Sequence, residues 1–161
     1  MFGFGKKKVK VGAVFSGTAV SIDQVSDPVF AQGMLGEGFA VIPPADTTIL
    51  EVVSPVSGTL SKLFKTGHAF AVRSTEGLDI LVHVGLETVE LKGKGFTVLA
   101  AKGDHVEAGT PIVRLDLRVV REAGLNPATP VVFTTKKQVA QVNVKPGEVQ
   151  ALEPVATVTL A

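Results

Sequence analysis

The stretch Lys102–Leu117 reads KGDHVEAGTPIVRLDL, and it aligns without gaps on Lys145–Leu160, which reads KPGEVQALEPVATVTL. Lysine, valine, alanine, proline and leucine stand at equivalent places in the two copies. Each copy is typical of a turn, a short strand, a proline break and a longer strand. A shorter repeat places Ser-Gly-Thr at residues 16–18 and again at residues 57–59. These repeats indicate a duplicated small β-unit whose two copies share one core.

Short alternating runs of β-branched and apolar residues, separated by Gly and Pro turns, dominate the chain. The predicted strands are Val9–Phe15, Gly17–Ile22, Gly38–Ile42, Thr47–Val53, Gly58–Phe64, Ala69–Arg73, Leu78–Val84, Thr97–Ala100, Pro111–Leu117, Val131–Thr134 and Val155–Leu160. Helical signals are confined to Leu117–Gly124 and Thr135–Val142. The pattern predicts an all-β fold, an antiparallel β-sandwich or barrel built from a duplicated motif, with one or two very short helices.

The length of 161 residues fits one domain. We expect a short flexible N-terminal tail over residues 1–10 and a single domain over residues 11–161. The chain has no cysteine, which excludes disulfides and thiolate metal sites. A formal net charge of +1 argues against a nucleic-acid binder. No apolar stretch approaches the ~18 residues of a membrane span, and the N-terminus lacks the order of a secretory signal. We therefore expect a cytoplasmic protein, with at most a peripheral membrane contact through MFGFGKKK.

Two of the three histidines lie in apolar runs. His83 interrupts the run from Ile80 to Val84, and His68 opens the run that ends at Val72. A hairpin loop over residues 74–77 would join the two runs. If Arg73 faces Leu78 across this loop, His68 and His83 are directly opposed, with Cβ atoms roughly 4.5–5.5 Å apart. A slip of one residue would place them on opposite faces. His105, whose equivalent in the second repeat is Glu148, reads as a solvated turn residue.

Two opposed imidazoles offer two kinds of chemistry. One can act as a nucleophile while the other donates a hydrogen bond to the captured group, or both lone pairs can hold a metal ion. A pair satisfied only by backbone and water remains an alternative. Thr66 lies two residues before His68 and could fix its tautomer. Gly85 would let a partner's backbone or a phosphoryl oxygen approach closely.

The stretch Gly77–Phe96, GLDILVHVGLETVELKGKGF, resembles the signature of the glucose-type IIA phosphocarriers of the bacterial sugar phosphotransferase system. The resemblance extends to SPVSGTLSKLFKTGHAF at Ser54–Phe70, to DPVFAQGMLGEG within residues 14–42, and to LRVVREAGLNPATPVVF, which is similar to the family's late helix and strand. It implies an antiparallel β-sandwich with a duplicated motif. We expect a freestanding member, without a fused IIB or IIC domain.

The resemblance also implies roles for individual residues. His83 would be phosphorylated on Nε2, His68 would hydrogen-bond the phosphoryl group, and Thr66 would orient His68. Partners would dock on a shallow apolar face with an acidic rim. The residues expected at this docking surface, with Gly85 added from its position after His83, are Asp27, Val29, Phe30, Phe64, Gly85, Glu87 and Val89. Pro28 replaces an apolar residue of the family, and Glu87 stands where an aspartate is commoner.

The implied function is that of a phosphotransferase acting in a relay. The protein would accept a phosphoryl group from phospho-HPr on His83 and pass it to a cysteine in the IIB domain of a IIBC sugar permease, for coupled uptake and phosphorylation of the sugar. Regulatory target proteins could share the docking surface. No cofactor is required, although His68 and His83 could hold zinc. The sequence does not indicate the sugar.

The alternative is a zinc-dependent hydrolase, because peptidases with a related duplicated β-architecture exist. A catalytic zinc normally takes three protein ligands, and the sequence shows no His-x-His pair near His83. A lipoyl- or biotinyl-like domain is a weaker alternative, because neither Met1 nor Met34 lies near a suitable lysine.

Overall fold

The computed structural model describes residues 6–161. In this part the chain forms fourteen strands and two short α-helices, with 3-10 turns at Ile22–Gln24, Thr88–Leu91 and Lys136–Gln138. The strands are β1 (Lys8–Gly12), β2 (Gly17–Ser21), β3 (Glu37–Ile42), β4 (Ile49–Val53), β5 (Gly58–Leu63), β6 (Ala69–Ser74), β7 (Asp79–His83), β8 (Phe96–Val98), β9 (His105–Val106), β10 (Pro111–Asp116), β11 (Thr129–Phe133), β12 (Val139–Val144), β13 (Gly147–Val149) and β14 (Pro154–Leu160). The helices are α1 (Pro28–Ala31) and α2 (Leu117–Glu122).

All strand pairings are antiparallel, and they form three sheets. The large sheet has the order β13-β2-β3-β11-β7-β6-β5-β9, and two smaller sheets have the orders β1-β14-β12 and β4-β10-β8. This arrangement confirms the predicted all-β class with two very short helices. Among the described residues, no helix has both the length and the apolar character needed to cross a bilayer.

The sequence repeat corresponds to a structural repeat. Strands β9 and β10 occupy the first copy, and β13 and β14 occupy the second. β9 and β13 form the two opposite edges of the large sheet, while β10 and β14 are the central strands of the two small sheets. Gly58 and Gly17, from the two Ser-Gly-Thr sites, pair with equivalent residues, Val106 and Val149. The predicted duplication is therefore confirmed.

The large sheet buries different residues on its two faces. On β7, Ile80 and Val82 point inward and join the main core, which also contains residues of both small sheets. On the outer face, a second apolar cluster packs α1 against the sheet through Phe30 and Val132, with Leu81 beside it. This cluster covers the outer face next to His83, the last residue of β7, and so forms one wall of the site.

Two predictions about the chain's local structure need correction. Residues 1–5 of the predicted tail lie outside the described residues, but β1 already begins at Lys8 and pairs with β14, so the tail cannot extend to residue 10. The helical signal at 135–142 is wrong after its first turn, because Val139–Val144 is strand β12. Pairing with β14 outweighs the weak helical preference there. The helix predicted at Leu117–Gly124 is confirmed as α2, and α1 was not predicted.

Candidate functional site

The β6–β7 hairpin differs in register from the prediction. Ala69 pairs with His83 and Arg73 with Asp79, so the register is shifted by one residue. The physical reason is the turn: the amide N–H of Ser74 donates to the carbonyl of Leu78, and Gly77 has a φ of +99°. A three-residue loop with glycine in a positive-φ conformation replaces the predicted four-residue loop. In regular strands this register would place the side chains of His68 and His83 on opposite faces of the sheet.

The two histidine rings nevertheless meet, with ring centroids 5.4 Å apart. His68 lies in the bend before β6, immediately after Gly67, whose φ is +79°. Its carbonyl still accepts a hydrogen bond from the amide N–H of Val84 at 2.7 Å. Because His68 precedes the strand, its side chain does not follow the strand's alternation. The structure therefore brings the predicted pair together by a bend rather than by cross-strand pairing.

The tautomer of His83 follows from its hydrogen bond. Its Nδ1 lies 2.6 Å from the carbonyl oxygen of Gly85. A carbonyl oxygen only accepts, so Nδ1 carries the proton, and Nε2 of the neutral ring keeps its lone pair. Gly85 has a φ of +77°, and an added Cβ would lie 2.6 Å from Thr88 Cγ2. Gly85, predicted as a docking residue, is buried and orients the His83 ring through its backbone.

His68 contacts Thr66, the residue that the sequence proposed as its hydrogen-bond partner. Thr66 Oγ1 is hydrogen-bonded to His68 Nδ1. When the hydroxyl donates, the proton of neutral His68 lies on Nε2, which can then donate to a bound group. His68 is buried, with 7% of its surface exposed. Thr66 thus lies in contact with His68 and can select its tautomer.

Two phenylalanines extend the histidine pair into a row of four rings. Phe64 contacts His68 with ring centroids 4.9 Å apart, and Phe30 contacts His83 with centroids 5.4 Å apart. Phe64 is 45% exposed, whereas Phe30 is only 4% exposed. Phe30 was predicted to contact partners, but its burial leaves it to support the His83 ring. Phe64 remains available as an apolar contact beside the site.

Three of the other predicted docking residues, Asp27, Val29 and Glu87, line a common groove. Val29 and Val89 are exposed large apolar residues. Asp27 caps α1 by accepting a hydrogen bond from the amide N–H of Val29 at 2.9 Å. Asp27 and Glu87 line one groove of about 440 Å³ together with Val29 and Leu86. The groove adjoins the histidine pair through Phe30, which follows Val29 and contacts the His83 ring.

Burial controls the charge of the histidine pair. Burial lowers the pKa of His83, against smaller opposing effects of the Gly85 hydrogen bond and the charge of Asp27. Burial also lowers the pKa of His68, and the neighbouring His83 charge lowers it further. Both rings are therefore neutral near pH 7, the state in which an imidazole has a free lone pair.

The lowered pKa values of His68 and His83 predict how the charge of the two rings and the stability of the protein depend on pH. At about pH 6.5, where an ordinary histidine is half protonated, we expect both rings to stay mostly neutral. Since the unfolded chain binds protons at these residues and the folded chain does not, the free energy of unfolding should fall as the pH drops below about 6.5. A ¹⁵N NMR titration of the imidazoles measures the midpoints directly. A midpoint for His83 at or above the ordinary value would contradict the prediction.

Sequence reasoning did not identify the residues that hold the His83–Gly85 turn. Thr88 Oγ1 donates to the Val84 carbonyl at 2.5 Å, and Thr129 Oγ1 accepts from the amide N–H of Gly85 at 3.2 Å. Both threonines are fully buried. A buried threonine hydroxyl facing a loop is detectable only in the folded structure, because Thr129 is far from Gly85 in the chain.

We expect Thr129→Val to lower the free energy of unfolding by about 1–3 kcal/mol, because it leaves the buried N–H of Gly85 without an acceptor. Urea unfolding of the two proteins measures the difference. Thr129→Ser, which keeps the hydroxyl, is the matched control and should lose less. Equal stability of Thr129→Val and the wild type would show that this hydrogen bond is unimportant for the turn.

The site offers two nitrogen ligands for a metal and no more. Within residues 6–161, no group of three or more His, Cys, Asp or Glu side chains is placed to hold a metal ion. Because a catalytic zinc takes three protein ligands, the geometry gives no support to the zinc hydrolase alternative.

Comparisons with known proteins agree with one another. A family model described as "phosphoenolpyruvate-dependent sugar phosphotransferase system, EIIA 1" matches residues 9–139. A glucose-specific EIICBA component from Streptococcus pneumoniae is 47% identical over 152 residues, which are 94% of this chain and 20% of that protein. The chain thus spans about a fifth of the length of this relative.

Two further relatives match over most of their own length. A glucose-specific EIIA component from Staphylococcus aureus is 41% identical over 147 residues, covering 89% of this chain and 86% of that protein. The solved structure of glucose permease IIA from Mycoplasma capricolum superposes with a TM-score of 0.84 and 38% identity, over 98% of this chain and 99% of that one. Sequence and fold therefore point to one family.

Proposed function

Because the chain belongs to the EIIA 1 family of the phosphoenolpyruvate-dependent sugar phosphotransferase system, we propose that it accepts a phosphoryl group from phospho-HPr on His83 Nε2. It then passes the group to a cysteine of a IIB domain. The observation that carries this proposal is the hydrogen bond from His83 Nδ1 to the Gly85 carbonyl, which leaves the lone pair on Nε2. Phosphoryl transfer needs such a positioned, neutral nucleophile.

The proposed first step conserves protons. The Nε2 lone pair of His83 attacks the phosphorus, the N–P bond of the donor phosphohistidine breaks, and the donor imidazole leaves with the electron pair of that bond. The proton on His83 Nδ1 stays there throughout, donated in the hydrogen bond to the Gly85 carbonyl oxygen. The transition state is loose, so positioning and stabilisation of the equatorial oxygens contribute most of the catalysis.

His68 is proposed to supply that stabilisation. Its Nε2–H, selected by the Thr66 hydroxyl on Nδ1, would donate to a phosphoryl oxygen on His83. A phosphoryl dianion beside His68 raises the pKa of its imidazole, because an opposite charge favours the protonated form. His68 would therefore be more often cationic once His83 is phosphorylated.

In the proposed second step, a cysteine thiolate of the IIB domain attacks the phosphorus. The Nε2–P bond breaks, and its electron pair returns to Nε2. The names of the relatives make glucose the first sugar to test. The reaction would take place in the cytoplasm, at most in peripheral contact with the membrane that holds the permease. Binding of regulatory target proteins to the same face stays a prediction.

No cofactor takes part in these steps. A zinc ion held by His68 and His83 would occupy the lone pair that the phosphoryl group needs. Zinc binding to the pair would therefore inhibit phosphoryl acceptance, and we propose it only as a competing state.

The proposal is tested by incubating the protein with phosphoenolpyruvate, enzyme I and HPr, and then recording its intact mass at alkaline pH. We expect one acid-labile phosphoryl group per chain. A parallel incubation without enzyme I is the control and should show none. If a competent donor system transfers nothing to the wild type, the phosphocarrier function is wrong.

A further inference from the structure

Strand β12 differs from the other edge strands of the structure. The three sheets formed by residues 6–161 have the edge strands β1, β4, β8, β9, β12 and β13. Strands β8, β9 and β13 have only two or three residues each, while β1 carries Lys8 and Lys10, and β4 carries Glu51. Short length and charged side chains keep an edge from pairing with another chain. The six residues of β12, VAQVNV, include no charge and no proline.

The backbone of β12 directs hydrogen-bonding groups to the open edge of its sheet. The amide N–H of Lys145 donates to the carbonyl of Val155 at 2.8 Å, and Asn143 continues this ladder with β14. In an antiparallel ladder, alternate residues direct both backbone groups to the partner strand. The N–H and C=O groups of Val142 and Val144 therefore point away from β14. Among the described residues, no second strand pairs with β12 on that side.

The side chains of β12 leave this edge accessible. Ala140, Gln141 and Asn143 are exposed, and none of the six residues is fully buried. Val142 and Val144, on the inner face, are partly buried and pack against the main core. A further strand beside β12 would remove the remaining apolar surface of the two valines from water.

We propose that β12 pairs with β12 of a second copy of this chain, antiparallel, about a two-fold axis at Asn143. Val142 then lies opposite Val144 of the partner subunit, and each of the two equivalent pairs exchanges two backbone hydrogen bonds. The two β1-β14-β12 sheets become one sheet of six strands. An axis at Val142 would place Val144 against Ala140, where the pairing of β12 with β14 is irregular, and would keep fewer regular hydrogen bonds.

Charge complementarity favours the same register. Lys145 lies opposite Gln141 of the partner subunit, and Asn143 lies opposite its own equivalent, so no two like charges face each other across the axis. An axis at Gln141 would instead place Lys137 opposite Lys145, and like charges directly opposite one another destabilise a strand pair. The formal net charge of +1 also keeps the repulsion between two whole copies small.

The proposed dimer leaves the histidine site open. β12 belongs to a small sheet whose valines pack on the main core, at the inner face of the large sheet. His83 lies beside the outer face, where α1 packs. Both copies therefore keep an accessible site, and association does not depend on the proposed phosphoryl transfer.

Sedimentation velocity of the whole chain, from about 10 µM to about 1 mM, tests this proposal. An interface made by one strand from each copy is smaller than the interfaces of stable dimers, so we expect a Kd of about 0.1–1 mM. The weight-average mass should rise with concentration from 16.7 kDa toward twice that value. A protein that stays monomeric at about 1 mM would overturn the proposal.

Charged substitutions on β12 test the register. Asn143→Lys places two ammonium groups opposite each other at the axis and should raise Kd at least about tenfold. Gln141→Glu faces Lys145 of the partner subunit and should lower Kd about threefold to tenfold. Thr97→Lys and Thr97→Glu are the matched controls, because they add the same charges to an exposed position of edge strand β8 in another sheet. Each control should change Kd less than about twofold.

Equal effects of the β12 variants and their controls would overturn the proposed interface. Circular dichroism and thermal unfolding of each variant separate a loss of pairing from misfolding. Amide hydrogen exchange followed by NMR locates the contact directly: exchange at Val142 and Val144 should slow with rising concentration in the wild type, but not in Asn143→Lys. Protection that rises with concentration at another edge, and not at these two amides, would place the interface elsewhere and contradict the proposal.

Discussion

His83→Gln is expected to abolish phosphoryl acceptance completely. The amide of glutamine has no nucleophilic lone pair on nitrogen, so no N–P bond can form at residue 83. Its volume is close enough to that of histidine to limit the cavity beside Phe30, which packs on the His83 ring. The measurement is the intact mass after incubation with phosphoenolpyruvate, enzyme I and HPr. No residual stable phosphorylation is expected above the background of the control without enzyme I.

His105→Gln is the matched control, since it removes the remaining histidine outside the pair. The exposed side chain of His105 lies on β9 beside Glu107, and its replacement should leave acceptance unchanged. Circular dichroism of both variants establishes that they are folded. A phosphoryl group found on the His83→Gln protein would show that another residue is the nucleophile and would contradict the assignment of His83.

His68→Gln is expected to slow transfer of the phosphoryl group to the IIB domain far more than its acceptance from phospho-HPr. A glutamine amide can still donate a hydrogen bond to the phosphoryl group, but it cannot become a cation. Transfer to a thiolate brings two negatively charged groups together, and a positive charge at residue 68 would offset their repulsion. We expect acceptance from phospho-HPr within about tenfold of wild type, and onward transfer to a IIB domain slower by about 10²–10³-fold. Rapid-quench measurements of both half-reactions test this directly.

Thr66→Val provides a graded comparison for the same half-reactions. It removes the hydroxyl on His68 Nδ1 but keeps an imidazole at residue 68. We expect a defect in onward transfer that is smaller than that of His68→Gln, because the ring can still protonate. If His68→Gln passes the group to the IIB domain at the wild-type rate, His68 has no role in release.

The hairpin shows how far local sequence could predict this site. Apolar runs with embedded histidines correctly predicted that β6 and β7 pair and that His68 and His83 are neighbours. The register was wrong by one residue, since the choice between a three- and a four-residue loop depends on the positive φ of Gly77. The bend at Gly67 nevertheless brings the His68 ring into contact with the His83 ring. Neither conformational choice follows from alternation of side chains alone.

The sequence by itself determined the duplicated β-unit and the family, and it predicted His68, His83 and Thr66 as site residues, because repeats, alternation and long motifs are local properties of the chain. Only the tertiary structure decided the tautomer of His83 and the burial of Phe30. Each of these depends on contacts between distant segments: Thr129 on β11 holds the Gly85 turn, and α1 packs over β3 and β11.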